Sequence, residues 1–306
     1  MSDPVSLEER IGSTSLQTLT APRGAFRGFA FAVRGVWQRR ELLGLLVRRE
    51  IKSRYKNSSL GAVWSLIRPL ALLLVYYVAI GEFIGAARTI PMFAIFIFCG
   101  LTAWSLYSDI IGSMTTSIIS NGGLIKKVYL PREIFPLASV GSALFNFMMQ
   151  FAVLIAAVLL LGQWPTIDAL WLIPTAFITL VTFATAVGLM LSALNVYMRD
   201  VQYLVEIVLM VMFWASPIVY SFTFVHERLE TNFAWLEQLY LANPATVIVL
   251  AFQKGLWAAG SAEGSGQVFP DDLMLRLGIT FLVSLVILWF SQRVFARMEG
   301  SFAQEL

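Results

Sequence analysis

The sequence predicts an all-α integral membrane protein with six transmembrane helices. Of its 306 residues, 58% are hydrophobic and 13% are charged, and the mean hydropathy is +0.74. Soluble domains carry roughly 25% charged residues, so this chain has too little charge to cover a water-facing surface. That balance excludes a soluble enzyme, a disordered chain and a disulfide-framed secreted module. With one cysteine and one histidine, no metal site is predicted.

Six apolar runs are long enough to cross a bilayer, for which a helix needs about 20 mostly apolar residues. The predicted spans cover residues 63–85, 90–112, 134–161, 170–192, 203–224 and 273–292. Pro217 lies within the fifth run, where a proline can break the helix before it reaches the far surface.

The basic residues predict the orientation of these spans. Seventeen of the 22 Lys and Arg residues fall in the N-terminal segment, the second and fourth connections and the C-terminal tail, and three fall on the opposite side. The protein is expected in the plasma membrane. Cytoplasmic loops of membrane proteins carry an excess of basic residues, so both termini are expected on the cytoplasmic side. The pI near 9.1 then reflects topology, and no nucleic-acid partner is expected.

Residues 39–56 predict an amphipathic helix before the first span. Leu43, Val47 and Ile51 recur every four residues on one face, which suits a helix lying in the cytoplasmic interface plane. The polar face carries Arg48, Arg49, Lys52 and Arg54 among its basic residues. Two compatible interpretations stay open: an anchor on the lipid surface and a docking surface for a cytoplasmic partner.

Two further segments are predicted to be short helices outside the spans. Between the second and third spans, Asn121-Gly122-Gly123 breaks the chain and residues 124–130 form a short cytoplasmic helix that a partner could grip. Its candidate contacts are Leu124, Ile125, Lys126, Lys127 and Tyr129. Residues 245–257 are apolar but too short to cross, and they predict a re-entrant or interfacial helix on the outer face between the fifth and sixth spans.

Two carboxylates, Asp109 and Glu206, fall inside predicted spans, about one turn from the cytoplasmic end. Intramembrane carboxylates are functional candidates. At such a shallow depth, structural pairing with Arg199, Arg68 or a lysine is an equal alternative, and proton coupling is not expected. The spans are also rich in aromatic residues, which either belong to the interfacial belts or line a pathway by stacking on sugar rings.

Several catalytic and nucleotide-binding motifs are absent from the sequence. It contains no G-x-x-x-x-G-K-[ST] loop, so ATP is not expected to bind this chain in the P-loop manner. The string that begins at His226 has Glu230 where a zincin needs its second histidine. No catalytic residue is predicted.

Four segments resemble the permeases of bacterial ABC-2-type exporters, in the branch that exports polysaccharide, O-antigen and teichoic acid. They are residues 48–70 (RREIKSRYKNSSLGAVWSLIRPL), 124–137 (LIKKVYLPREIFPL), 195–201 (NVYMRDV) and 213–220 (FWASPIVY). The resemblance extends over roughly residues 40–292. Residues 37–306 are therefore predicted to be the transmembrane domain, and residues 1–36 a flexible cytoplasmic arm.

The resemblance implies half of a transporter. Two permease copies would pair above two separate ATPase subunits, which would hold ATP and Mg, with no cofactor on this chain. The basic amphipathic helix and the short cytoplasmic helix would contact the ATPase. The cargo would be a polyprenyl-diphosphate-linked glycan, and its sugars are expected to pass along Trp104, Tyr107, Phe213 and Trp214.

Three alternatives stay open. An ABC-2 exporter of a drug or small lipid often carries a large external domain after the first span, whereas only residues 86–90 are available here. A membrane glycosyl- or phosphotransferase would need clustered carboxylates, and the cytoplasmic loops offer Glu133 and Asp200. A structural or assembly subunit without transport activity is the third.

Overall fold

The computed structural model describes residues 33–56, 61–127, 130–165, 167, 169–229, 233–262 and 264–306. These residues form helices joined by turns, and none of them lies in a β-strand. The predicted all-α class is therefore confirmed. Most of the predicted N-terminal arm, and Tyr129, lie outside the described residues.

The helices named below follow chain order. They are α1 Arg40–Tyr55, α2 Trp64–Tyr76, α3 Phe93–Ser120, α4 Gly122–Ile125, α5 Ile134–Leu160, α6 Ala169–Tyr197, α7 Val201–Trp214, α8 Phe222–Leu229, α9 Ala234–Leu241, α10 Pro244–Leu256, α11 Ala258–Ser261, α12 Leu273–Met298 and α13 Phe302–Glu305. A π-helical stretch, Tyr77–Phe83, continues α2.

Among the described residues, five helices are long and apolar enough to cross a membrane, so the chain is a multi-pass membrane protein. They are Trp64–Phe83, Phe93–Ser120, Ile134–Leu160, Ala169–Tyr197 and Leu273–Ser301. The second of these runs past its predicted end at residue 112 to Ser120, and hydroxyl side chains in this extension bond to carbonyl groups of their own helix. Thr115 Oγ1 donates a hydrogen bond to the Ile111 carbonyl, and Ser117 Oγ donates one to the Met114 carbonyl. The donor–acceptor distance is 2.7 Å in both.

The fifth predicted span, residues 203–224, is wrong as a continuous helix. The helix there, α7, ends at Trp214 after 14 residues, and α8 starts at Phe222. Pro217 lies in the intervening turn, where its ring and missing N–H prevent helix continuation. The Pro217 carbonyl instead accepts a 2.8 Å hydrogen bond from Gln253 Nε2 of α10. A sixth crossing built on the short helix α7 stays a prediction.

The core forms around α3, which is buried along most of its length against α5, α6 and α10. The short helix predicted between the fifth and sixth spans is confirmed as α10. Asn243 caps its N-terminus, because the Asn243 side chain accepts a 3.1 Å hydrogen bond from the Ala245 N–H. Nearly every α10 side chain is buried. Of the two predicted settings, re-entrant or interfacial, this burial favours the re-entrant one.

The amphipathic helix predicted before the first span is α1, and its apolar face packs against α5. Leu46 is buried, and the Tyr55 hydroxyl donates a 2.8 Å hydrogen bond to Asn146 Oδ1. Protein contacts therefore hold this face, and the placement of α1 at a membrane interface stays a prediction.

The contact between α1 and α5 is closest at Gly141, and this closeness can be tested. A Cβ atom added at Gly141 would lie 2.5 Å from Cγ2 of Val47, whereas one added at Gly112 would meet nothing within 4 Å. We expect Gly141→Ala to lower the free energy of unfolding by about 1–3 kcal/mol through overpacking. Gly112→Ala, the matched control, should be neutral or stabilising by up to about 1 kcal/mol because alanine favours helix. Thermal unfolding in detergent measures both.

Adding Val47→Ala to the Gly141→Ala variant removes the colliding methyl groups and should restore most of the lost stability. Equal stability of the two glycine variants would contradict this close contact.

Candidate translocation groove

A groove of about 550 Å³ opens along α2, α3, α5 and α7, and the C-terminal end of α1 closes one of its ends. These helices come from separate parts of the chain, so only the folded protein brings their side chains together. Its lining changes character along its length, from charged and amide side chains near the α1–α2 connection to aromatic side chains at the other end.

The polar end of the groove is built around Asp109 of α3. The Asn146 side chain of α5 lies beside the Asp109 carboxylate, and the charges of Arg54 and Arg68 attract it. Tyr55 fixes the Asn146 amide from the other side, through the hydrogen bond described above. This end can therefore bind an anionic group through two guanidinium ions, with a carboxylate beside them as their counter-ion.

Gln150 lies one turn beyond Asn146 on α5 and also lines the groove. Its side chain is 2% exposed, and its Nε2 has no hydrogen-bond partner among the described residues. A buried amide donor without a partner is costly, so this atom is available to a polar ligand in the groove.

The aromatic end of the groove is organised around Phe213 of α7. Its ring lies 5.7 Å from Trp104, 5.8 Å from Tyr76 and 5.6 Å from Trp214, measured between ring centroids. Trp214 is 55% exposed. These distances are those of interacting aromatic pairs, and the exposed ring faces offer flat apolar surface beside polar side chains.

Three of the four predicted pathway residues, Trp104, Phe213 and Trp214, line the groove together. Tyr107 is placed differently: it is 8% exposed and stacks between Trp104 at 5.3 Å and Phe183 at 6.0 Å. It faces a separate, apolar cleft of about 340 Å³ between α3, α6 and α7. Tyr107 therefore supports the Trp104 ring from behind.

The predicted depth of Asp109 is wrong. Because α3 continues to Ser120, Asp109 lies 11 residues from the end of the helix, or roughly 16 Å at 1.5 Å per residue. A functional role of Asp109 stays a prediction. Glu206 is exposed near the start of α7 and does not line the groove.

Sequence reasoning did not single out several groove residues as site residues. Tyr76 was one of many aromatic residues, and Arg68 was named only as a possible pairing partner of a carboxylate, where its charge does act on Asp109. Asn146 and Gln150 carried a usable signal, because two amides in an otherwise apolar span are unusual and mark polar sites inside the membrane.

The residues predicted to contact a cytoplasmic partner lie around α1 and α4. Arg48, Arg49, Lys52, Lys126 and Lys127 are exposed, Leu124 is half-buried and Ile125 is buried. The two segments meet, because the Arg49 guanidinium donates to Asn121 Oδ1 beside α4. The helix α4 covers Gly122–Ile125 and not residues 124–130, and the two lysines follow it in a turn. Arg54 also reaches the polar end of the groove.

Glu133 lies between this segment and α5, and it gives a pH-dependent prediction. Burial raises its pKa above the ordinary value of 4.5, and the Gln292 hydrogen bond and the Arg132 charge oppose that shift. The folded state thus keeps the proton to a higher pH than the unfolded state. Deprotonation then favours unfolding, so this residue lowers the free energy of unfolding as the pH rises above 4.5.

We therefore expect the melting temperature of Glu133→Gln, measured relative to that of the wild type, to increase as the pH rises from 4.5 to about 7. Asp200→Asn removes a carboxylate that is exposed and serves as the control, with a smaller change over the same range. A constant difference between Glu133→Gln and the wild type would contradict the prediction.

A multi-pass helical bundle with an open groove that joins basic and aromatic side chains has the architecture of a membrane permease. The chain belongs to the ABC-2 type transporter family, which matches residues 41–257. That stretch contains every helix that lines the groove. The family resemblance of the four sequence segments is thereby confirmed.

The chain is similar to the O-antigen export system permease protein RfbA of Myxococcus xanthus, with 29% identity over 276 residues, or 90% of this chain and 98% of that protein. Its similarity to a permease of the same name from Klebsiella pneumoniae is 29% identity over 214 residues, which cover 70% of this chain and 79% of the relative.

Proposed function

We propose that this chain is the permease subunit of an ATP-driven exporter, which moves a polyprenyl-diphosphate-linked polysaccharide from the cytoplasmic to the outer face of the plasma membrane. The observation that carries the proposal is the groove, in which a basic end continues into an aromatic end. Membership of the ABC-2 family and the similarity to O-antigen export permeases support it.

The two ends of the groove suit the two parts of such a substrate. Arg54 and Arg68 lie where guanidinium groups can pair with a diphosphate. The rings of Trp104, Phe213 and Trp214 offer faces on which the apolar sides of sugar rings can stack, with no fixed charge to hold a passing chain. The substrate class follows from this combination of side chains.

A second copy of the chain is part of the proposal. The helices α2 and α7 flank the groove, and their outer faces are apolar and exposed, as at Val75 (58%) and Val211 (51%). Charged side chains in a groove open to hydrocarbon are costly. A homodimer that pairs these faces would close the groove into a pathway and shield Asp109 and its arginines.

Two separate ATPase subunits complete the exporter. ATP and Mg would bind those subunits, since the sequence carries no phosphate loop. They would dock on the exposed basic residues of α1 and on Lys126 and Lys127, in agreement with cytoplasmic termini. The permease itself would perform no chemistry.

The proposal is tested by purifying the tagged permease from native membranes in mild detergent and identifying the proteins that accompany it by mass spectrometry. We expect a P-loop ATPase in equal amount, and lipid-linked glycan that accumulates on the cytoplasmic side when the permease is deleted. Recovery of the permease without an ATPase, even after cross-linking, would overturn the proposal.

The homodimer is tested in a Cys99→Ser background, which leaves no other cysteine. Cysteines placed at Val75 and Val211 should cross-link two copies, whereas Val286→Cys on α12, where the side chain is 65% exposed, should not. Equal cross-linking at all three positions would contradict the proposed interface.

A further inference from the structure

The last eight described residues, 299–306, form a tail segment that folds back on the bundle. A short 3₁₀ turn, Glu299–Ser301, leads into α13, Phe302–Glu305. Although α13 has only four residues, its Phe302 side chain has no exposed surface. A fully buried aromatic residue in so short a helix shows that the tail segment is fixed by tertiary contacts.

Phe302 is enclosed by side chains from three different parts of the chain. The Phe295 ring of α12 lies 5.4 Å away and the Tyr197 ring of α6 lies 6.2 Å away, both edge-on. The Arg132 guanidinium lies 5.8 Å from the ring centroid, within the range of a cation–π interaction. Arg132 belongs to the connection that leads from α4 into α5.

The tail segment also reaches the other end of that connection. A Cβ atom added at Gly122 would lie 3.4 Å from the Leu306 side chain, so Leu306 lies against the start of α4. Residues 121–133, which we call the coupling segment, are therefore held at both ends by the tail segment. The exposed Lys126 and Lys127 lie between these two points.

Polar contacts strengthen the same junction. The Tyr197 hydroxyl donates a 2.9 Å hydrogen bond to the Met298 carbonyl, which connects α6 to the end of α12. The Gln292 side chain of α12 lies beside the Glu133 carboxylate, and the Arg132 charge attracts Glu299. The coupling segment, α6 and α12 are thus joined through the residues around Phe302.

We propose that the tail segment is a positioning element of the exporter, in which Phe302 holds the coupling segment against α6 and α12. Displacement of the coupling segment by an ATPase would then move α6, which packs along α3. Because α3 carries Trp104 and Asp109, this chain of contacts links the docking surface to the groove. The inference rests on the proposed function, since it assumes that an ATPase acts on the coupling segment.

Two variants test this role with little risk to folding. Phe302→Leu keeps an apolar side chain but removes the ring that Arg132 and Tyr197 contact. Tyr197→Phe keeps its ring and removes only the hydroxyl that binds the Met298 carbonyl. The control is Phe252→Leu, which truncates another ring with no exposed surface on α10, where it contacts Phe147 and Phe151.

The measurements are the amount of ATPase that co-purifies with the permease, the rate of ATP hydrolysis, and the glycan exported per ATP hydrolysed. We expect Phe302→Leu to keep the ATPase and its hydrolysis but to lower export per ATP at least about fivefold, the lower range of coupling between two sites. Tyr197→Phe should give a smaller loss in the same ratio. Phe252→Leu should lower thermal stability and leave the ratio unchanged.

Three outcomes decide the inference. Wild-type export per ATP in both Phe302→Leu and Tyr197→Phe would overturn it and leave the proposed function intact. An equal fall of that ratio in Phe252→Leu would also overturn it, because any loss of core packing would then suffice. Wild-type permease that captures no ATPase would overturn the proposed function, and the positioning role with it.

Discussion

Reversing the charges of Lys126 and Lys127 together to glutamate is expected to reduce glycan export at least about tenfold while the permease stays folded. Both side chains are exposed, beside α4, so no packing is lost. If they meet acidic groups of an ATPase, the reversal places like charges at the interface, which costs several kcal/mol, and every 1.4 kcal/mol is about tenfold. Export and ATP hydrolysis are measured in the same membranes.

The control for this experiment is Arg88→Glu, which reverses an exposed charge in the connection between α2 and α3, at the opposite end of the bundle. It should export at the wild-type rate. Unchanged export in the double lysine variant would remove the coupling role of the segment. Ile125→Pro is a less specific test, because Ile125 is only 7% exposed and its replacement also disturbs the core.

The second large effect is expected at Phe213, where alanine should lower export at least about tenfold without loss of ATPase binding. The Phe213 ring contacts Tyr76, Trp104 and Trp214, and each such aromatic contact is worth roughly 0.5–1.5 kcal/mol. Its removal would leave Tyr76 and Trp214 without this packing partner, while Trp104 keeps its stack on Tyr107. A continuous stacking surface in the groove would then be interrupted.

Phe290→Ala is the matched control, since that ring is 53% exposed on α12 and lies outside the groove. It should export normally. Phe213→Tyr keeps an aromatic face and should retain most of the activity, which separates stacking from mere bulk. Normal export by Phe213→Ala would show that sugars do not pass this ring.

Helix formation was readable from the sequence wherever apolar runs were long. Five of the six predicted spans correspond to helices of the structure, three of which run past the predicted C-terminal end, and the buried helix α10 was found from the length of its apolar run. The errors occurred at the ends of apolar runs and at a proline. The hydroxyl-rich end of α3 continued as helix, whereas the apolar run around Pro217 broke because a proline lacks the N–H and has a ring that stop a helix, and the freed Pro217 carbonyl found a partner in α10.

The groove shows a different limit. Aromatic residues were numerous, and three of those predicted as pathway residues, Trp104, Phe213 and Trp214, share one cavity. It assigned Tyr107 to the same surface, although this ring lies behind Trp104. Which side of a helix faces a cavity depends on the neighbouring helices. Aromatic residues alone do not reveal that side, although the polar residues Ser105, Ser108 and Asp109 mark the side of α3 that lines the groove.

The sequence by itself determined the membrane class, the family and the helical segments, because hydropathy, charge bias and short motifs are properties of contiguous residues. Only the tertiary structure decided which side chains form the site. Tyr55 meets Asn146 across 91 positions of the chain, and Tyr197 meets Met298 across 101. Such contacts depend on how several helices pack at once, and that packing is set by complementary shapes that no local pattern encodes.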